Sequence, residues 1–499
     1  MFRFLPAFLV LACAMGSQAA LGQASLFIPL DDPVYEDIRL AQTLGLLHEL
    51  HPDRLPYTAL EVRRAATGGD HPLVQAVLHA LPRSASEAGT GYTGRMGLRA
   101  ASHRRLDPAR PLEDAELYPY LESGLHYLDG RLVARAAFRA DAYWDRDPDG
   151  LDSVLRAFMR NDQSYVGLAG DRASLHLGRI ATHWGLPGGS GLLVSENARS
   201  FDALQFRLGN DTWTLTSMLG ELDSMTGDGR FTGTAGDDSV RTGSDRRWMS
   251  AHRLDWTPSP RFTLSILEAA LFSGPNAGLS LKYLNPTQFL VLAVDNRPKN
   301  EENNALLGVM ITARPDAWLL HAQLMVDDVD LFFGDEPASF AAAVVAEHRV
   351  RPRLVMRAHA EAVASRTYNT FQPEGRWLYL QRGIATQFSD YVQTRLGAEF
   401  SNAAFNLHIE PYLQGIWQGE RDIRQPFRFD DTFATLLVGT VERSLRAAVR
   451  VRARRDRGYL ILDAGFNRIS NDRHISGALR TQPVITFGSG WRWNVGPAN

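Results

Sequence analysis

From about Gly91 onward, apolar and polar residues alternate one by one, a period of two that fits strands and not helices. In Arg131 to Trp144, Leu132, Ala134, Ala136, Phe138 and Ala140 alternate with Arg131, Arg135, Arg139 and Asp141. Arg353 to Arg366 repeats this, with Leu354, Met356, Ala358, Ala360 and Ala362 against Arg357, His359, Glu361 and Ser365. The pattern predicts eighteen strands, near 91–102, 117–128, 131–144, 163–170, 172–183, 203–209, 211–222, 248–258, 261–273, 301–314, 316–329, 338–350, 353–366, 391–404, 406–419, 441–454, 459–470 and 481–493. After every even strand one to four residues intervene, and after every odd strand eight to twenty-seven. Short turns at one end and long loops at the other, with an even strand number, describe an all-β outer-membrane antiparallel barrel. A two-sheet sandwich needs no such alternation of loop length.

The start of the chain agrees with a membrane destination. MFRFLPAFLVLACAMGSQAALGQA has one basic residue, Arg3, then an apolar run and small residues, the form of a secretory signal peptide over residues 1–24. Val10 to Cys13 also resembles a lipoprotein box, but it would leave a very short leader. Cys13 is the single cysteine, so cleavage after Ala24 leaves no thiol for disulfides or metal. Without Arg3, 52 basic residues face 56 acidic ones, a net charge of -4 that gives no support for nucleic-acid binding. Of the full chain's 53 basic residues, Lys282 and Lys299 are lysines and 51 are arginines. Either a GC-rich genome or a surface that grips anions accounts for this bias.

Residues 25–90 read as a small helical unit left in the periplasm, with the transmembrane barrel over 91–499. Asp32-Pro33 opens a first helix, Thr58 and Glu61 form a capping box for a second, and Asp70 with Pro72 starts a third. With this unit inside, the first strand runs outward and every long loop faces the cell exterior.

Several motifs resemble the capsule assembly Wzi family of outer-membrane proteins. They are Trp184-Gly185, LLVSENAR from Leu192 to Arg199, YLNPTQF from Tyr283 to Phe289, NNALLG from Asn303 to Gly308, and the helical start DDPVYEDIRLAQTLGLL. Ser200-Phe201-Asp202 departs from the proline-containing continuation expected there, and the chain does not end on an aromatic residue. The resemblance implies an eighteen-stranded barrel closed by loops and helices, acting as a lectin that anchors exported capsular polysaccharide or exopolysaccharide at the cell surface. It implies no catalysis, no cofactor and no metal, with polysaccharide and outer-membrane lipids as partners and a monomer as the working unit. Aromatic faces and planar polar groups in the loops are the natural sugar contacts. Trp184, Asn197, Arg199, Tyr368, Phe371, Arg376, Trp377 and Arg382 are the polysaccharide-binding candidates.

Arg135, Arg139, Arg357, His359, Glu361, Arg446, Arg450 and Arg452 are expected on the lumen wall, as an anionic-ligand ladder or as wall charges paired to Asp463 or Glu410. His176, His321, His359 and His408 fall on separate strands without metal-ligand spacing. DRDPDG, from Asp145 to Gly150, opens like a calcium loop, but its twelfth position is Arg156. Asn285-Pro286 with Phe289, Leu290, Leu292 and Val294 predicts a short loop helix. Two other functions share the same strands. A passive porin needs an open lumen, and an envelope hydrolase needs a serine beside a base, for which Ser190 or Ser195 with His183 is the best set available.

Overall fold

The computed structural model describes residues 23–496, apart from 113, 152–157, 226–245, 275–276, 291–301, 328–338, 371–372, 403–405, 426–433 and 456. The leader, Arg156, Phe371 and the predicted loop helix from residue 291 onward lie outside the described residues; the Asn285-Pro286 end of that prediction is a turn, and the helix described there is Leu281–Leu284, just before it. No described helix is long and apolar enough to cross a membrane.

Eighteen antiparallel strands close into one barrel. In chain order they are β1 (Gly89–Ala101), β2 (Glu116–Asp129), β3 (Leu132–Asp141), β4 (Phe158–Asn161 with Tyr165–Ala169), β5 (Ala173–Arg179), β6 (Asp202–Gly209), β7 (Trp213–Glu221), β8 (Arg246–Ser259) and β9 (Phe262–Gly274). They continue as β10 (Glu302–Ala313), β11 (Trp318–Asp327), β12 (Ser339–Arg351), β13 (Leu354–Val363), β14 (Tyr391–Asn402), β15 (Leu407–Gln418), β16 (Glu442–Arg455), β17 (Gly458–Ser470) and β18 (Leu479–Val495). Each strand pairs with its sequence neighbour, and β18 closes on β1 with Tyr92 opposite Val495. Both segments of β4 pair with β3. Between them the Ser164 hydroxyl takes the place of backbone, accepting from Ala137 N at 2.9 Å and donating to Ala137 O at 2.7 Å.

Three predicted strands end at least three residues early, among them β13, which stops at Val363. β3 ends at Asp141, whose side chain accepts from Tyr143 N at 3.0 Å and caps a helical turn over Ala142–Arg146. β5 ends at Arg179, where the chain turns into the barrel.

The alternation separates lipid from lumen. Leu132, Phe138, Leu396, Leu413, Leu445 and Phe466 are exposed on the outer wall, while Arg135, Arg139 and Arg446 are buried on the inner one. Trp213 and Trp256 stack at 6.0 Å near the short turns, in the position of an interfacial aromatic girdle.

The N-terminal unit seats in the short-turn end of the barrel. Its helices are α1 (Val34–Thr43), α2 (Ala59–Ala65) and α3 (Pro72–Ala80). The expected capping box is present, with Thr58 N donating to Glu61 at 2.7 Å and Glu61 N donating to Thr58 at 3.2 Å. The third helix is capped by His71 rather than Asp70. Apolar faces of all three helices pack in one cluster that includes Val355 of β13. Acids on the remaining surface meet wall arginines: Asp31 meets Arg95 and Arg139, Asp32 meets Arg492, Glu36 meets Arg450 and Arg452, Asp37 meets Arg454, and Asp53 meets Arg253, while Arg39 and Arg54 make the reverse pairs with Glu347 and Asp255. Burial alone would raise Asp31, but Arg95 and Arg139 hold its carboxyl far below the ordinary carboxylate range.

Candidate functional site

The stretch from Thr182 to Phe201, expected on the extracellular side, folds inward and lines the lumen. His183 and Trp184 pair with Leu55 and Arg54 of the N-terminal unit, and Gly185 N donates to Asp53 O at 3.0 Å. Its glycines serve this path. Gly188 turns in the left-handed region at φ 62°, and a Cβ on Gly185 would lie 2.0 Å from Ser190 O. Gln323 on the wall secures the turn, donating to Ser190 O at 2.6 Å and accepting from Leu192 N at 3.1 Å.

Residues 364–390 fold in against it. Tyr368 Oη donates to Leu192 O at 2.5 Å, Trp377 Nε1 donates to Leu193 O at 2.9 Å, and Ser195 N donates to Ile384 O at 2.8 Å. Trp184, Tyr368 and Trp377 are 1%, 0% and 0% exposed. These rings form the core of the inward-folded loops, so in this conformation they present no face to a sugar. Arg376 donates to Arg424 O at 2.8 Å behind that core. Arg199 donates to Trp144 O at 2.7 Å and lies over the Trp144 ring, with burial pushing its guanidinium down to about 10.

Above this stopper, four long connections and the upper ends of β13 and β14 enclose a partly open recess of about 540 Å³, a volume typical of small-ligand sites. Four sequence candidates come together there, the sugar-binding candidates Asn197 and Arg382 and the lumen candidates His359 and Glu361. Arg382 donates to Asn197 O at 2.8 Å, to Asn197 Oδ1 at 3.0 Å and to Asp147 at 2.9 Å. Asn197 Nδ2 donates to Gly383 O at 2.8 Å and to Gln387 at 2.9 Å. Arg105, Arg110, Tyr143, Asp149, Gln387 and Phe388 also line the recess, and no local sequence period marks them. Arg105 grips Asp149 through two bonds of 2.7 and 2.8 Å. Phe388 is half-buried beneath the Arg105 and Arg110 guanidiniums at 5.1 and 4.8 Å. Asp147 and Asp149, two of the three acids a calcium reading of DRDPDG requires, are thus both taken by arginine.

Glu196 projects into the recess with an exposed side chain. Although the side chain faces open space, the protein that surrounds that space, followed by the charges of Asp31 and Glu36 on the N-terminal unit, pushes its carboxyl up to about 7.

The lumen-wall candidates point inward but do not form one ladder. Arg135 pairs with Glu122 at 3.0 Å and Arg139 with Asp141 at 2.7 Å. Arg357 pairs with Glu399 at 2.6 Å. Arg446 meets Asp463, as expected, whereas Arg450 and Arg452 turn to Glu36 of the N-terminal unit. His359 Nε2 lies 3.1 Å from Ser190 Oγ, and both face Glu361, which also accepts from Tyr391 and, at 3.1 Å, from Gln393. His183, the base expected for a hydrolase, is instead bonded to Leu186 O at 3.1 Å. In the Ser190 cluster one imidazole nitrogen faces both hydroxyl and carboxylate, whereas an acyl-transfer relay places them on opposite nitrogens.

The capsule assembly protein Wzi family matches over residues 125–319. That span holds the Trp184-Gly185, LLVSENAR, YLNPTQF and NNALLG motifs. A solved structure described as Wzi, an outer membrane protein involved in group 1 capsule assembly in Escherichia coli and a carbohydrate-binding β-barrel, is similar at TM-score 0.62 and 11% identity, covering 95% of this chain and 100% of that one. Pseudomonas aeruginosa OccK11 (OpdR) gives TM-score 0.44 at 11% identity over 82% of this chain and 98% of its own, and Acinetobacter baumannii OccAB4 gives 0.47 at 9% over 82% and 99%. Both scores are too low to carry an argument. No curated protein sequence matches. The resemblance read from the motifs is therefore borne out: residues 125–319 match the capsule assembly protein Wzi family, and the chain is an outer-membrane β-barrel with the Wzi fold.

Proposed function

We propose that the protein anchors exported capsular polysaccharide or exopolysaccharide at the cell surface, seating sugar units in the recess above the stopper without catalysing any reaction on them. The observation that carries this reading is a lumen filled twice, by the N-terminal unit and by the inward-folded 182–201 stretch, with a polar recess left above. A passive porin requires a continuous water path, which these two fillings oppose. Planar amides at Gln387 and Gln393, with the Phe388 face beside them, match the alternating hydroxyl and C–H surfaces of a sugar ring. Residues 1–24 are removed on export, the helical unit lies at the periplasmic end, and the barrel works as a monomer in outer-membrane lipid.

A deletion strain tests the proposal. Total polymer should be unchanged, while polymer shed into the medium rises and cell-bound polymer falls. Unchanged retention sinks the reading, and step-like single-channel conductance from the purified protein in bilayers would favour the porin.

A further inference from the structure

Two of the three guanidiniums that line the recess are matched by carboxylates, and the third is stacked away from it. Arg105 is held bidentately by Asp149, Arg382 by Asp147, and Arg110 lies 3.3 Å from Asp107. Arg110 Nε and Nη2 make no hydrogen bond, yet they are buried, with the guanidinium over the Phe388 and Tyr391 rings at 4.8 and 4.9 Å. Two lining carboxylates remain without an arginine among the described residues. Glu361 is held by the hydroxyls of Ser190 and Tyr391 and the Gln393 amide, beside His359 at 3.4 Å, and Glu196 has no ion pair and projects into the space. An incoming carboxylate would therefore lose its hydration without gaining a guanidinium, and it would face Glu196. A hydroxyl, by contrast, can donate to Glu196 and accept the second N–H of the Gln387 or Gln393 amide, each of which spends only one internally.

Resting on the polysaccharide-binding reading, we infer that the recess takes an uncharged, hydroxyl-rich sugar unit and discriminates against one bearing a carboxylate. An anionic polymer would then be held through its neutral units, with its acid groups outside the recess. Glu196 sets this preference, because its carboxylate meets the bound ring without an arginine to neutralise it.

The test uses the full-length protein in detergent and oligosaccharides cut from the strain's own surface polysaccharide, prepared as two matched pools. In one pool all carboxyls are reduced to alcohols; in the other the primary hydroxyls are oxidised to carboxylates. Binding is measured by calorimetry at pH 8, where Glu196 is ionised. The reduced pool should bind about fivefold tighter or more, the ratio for like charges some 4 Å apart in water, and Glu196→Arg should bring that ratio to unity or below while the protein stays heat-modifiable. Equal or tighter binding of the oxidised pool by the unaltered protein overturns this inference and leaves the polysaccharide-binding reading standing. Failure of both pools to bind overturns the two together.

Discussion

The junction between the N-terminal unit and the barrel yields a quantitative expectation at Asp53. Its carboxylate accepts from the Arg253 guanidinium and from the Thr312 hydroxyl, and all three residues are at most 1% exposed. In Asp53→Ala both bonds go. Hydrogen bonds to a charged group are worth about 1.5 to 3 kcal/mol each, and breaking a buried ion pair from one side costs about 3 to 5 kcal/mol. Arg253 keeps Asp255 at 2.7 Å and Ser265 at 3.1 Å, so the lower end applies, about 3 kcal/mol. The loss falls on docking, because Asp53 belongs to the unit while Arg253 and Thr312 stay in the wall. At about 1.4 kcal/mol per tenfold, the undocked population should rise about a hundredfold. Hydrogen exchange in detergent should show faster exchange at the amides of α1 and α2, with exchange in β8 and β10 and the heat-modifiability of the barrel unchanged. Protection altered less than about threefold in the helices, or an equal loss throughout the barrel, would refute a docking role for this pair.

Trp184→Ala should act as a core truncation costing about 3 to 5 kcal/mol, seen as proteolytic cutting within 182–201 in a barrel that still assembles; intact resistance to protease would contradict its burial. Leu413→Arg places a charge on the lipid face, where Leu413 is 56% exposed, and should cost about 2 to 4 kcal/mol and reduce assembled protein. An epitope at Ser476-Gly477, in a long loop, should be labelled on intact cells and one at Asp316, in a short turn, should not; the reverse labelling would invert the orientation. Burial would raise Glu61, but Arg207 and the Thr58 N–H outweigh it and bring it down to about 2. Its contribution to docking is therefore complete above the ordinary glutamate range and is lost as pH falls from about 4.5 through about 2. Docking followed by hydrogen exchange should be the same at pH 7 and pH 5 and weaken below pH 4.

The barrel was legible because lipid and lumen lie on opposite faces of every strand, so the wall's environment reverses with each residue. Leu132 beside Arg131 and Leu445 beside Arg446 report that reversal locally, with no knowledge of the neighbouring strand. The capping box at Thr58 and Glu61 was legible for the same reason, since its partners are three residues apart. Loop lengths gave the two ends of the barrel, and four short motifs with the helical start gave the family resemblance. The candidate site was visible only in part: Asn197 and Arg382 were singled out, but their meeting, 185 residues apart in the chain, was not.

What tertiary structure decided is where the polar and aromatic side chains spend their interactions. Arg450 meets Glu36 across 414 residues, and with 51 arginines and 56 acids available the sequence holds nothing to select that pair. Trp184 shows the same limit. An indole beside glycines fits an exposed sugar platform, a lipid-interface girdle or a buried core equally well, and the choice depends on which way the loop folds. It folds inward because the lumen of an eighteen-stranded barrel is wide enough to admit it, and because there its backbone pairs with Arg54 and Leu55 while its apolar residues pack on Tyr368 and Trp377. The same folding brings acids beside Arg105 and Arg382, so these guanidiniums are matched within the barrel, and Glu196 is left to face the ligand.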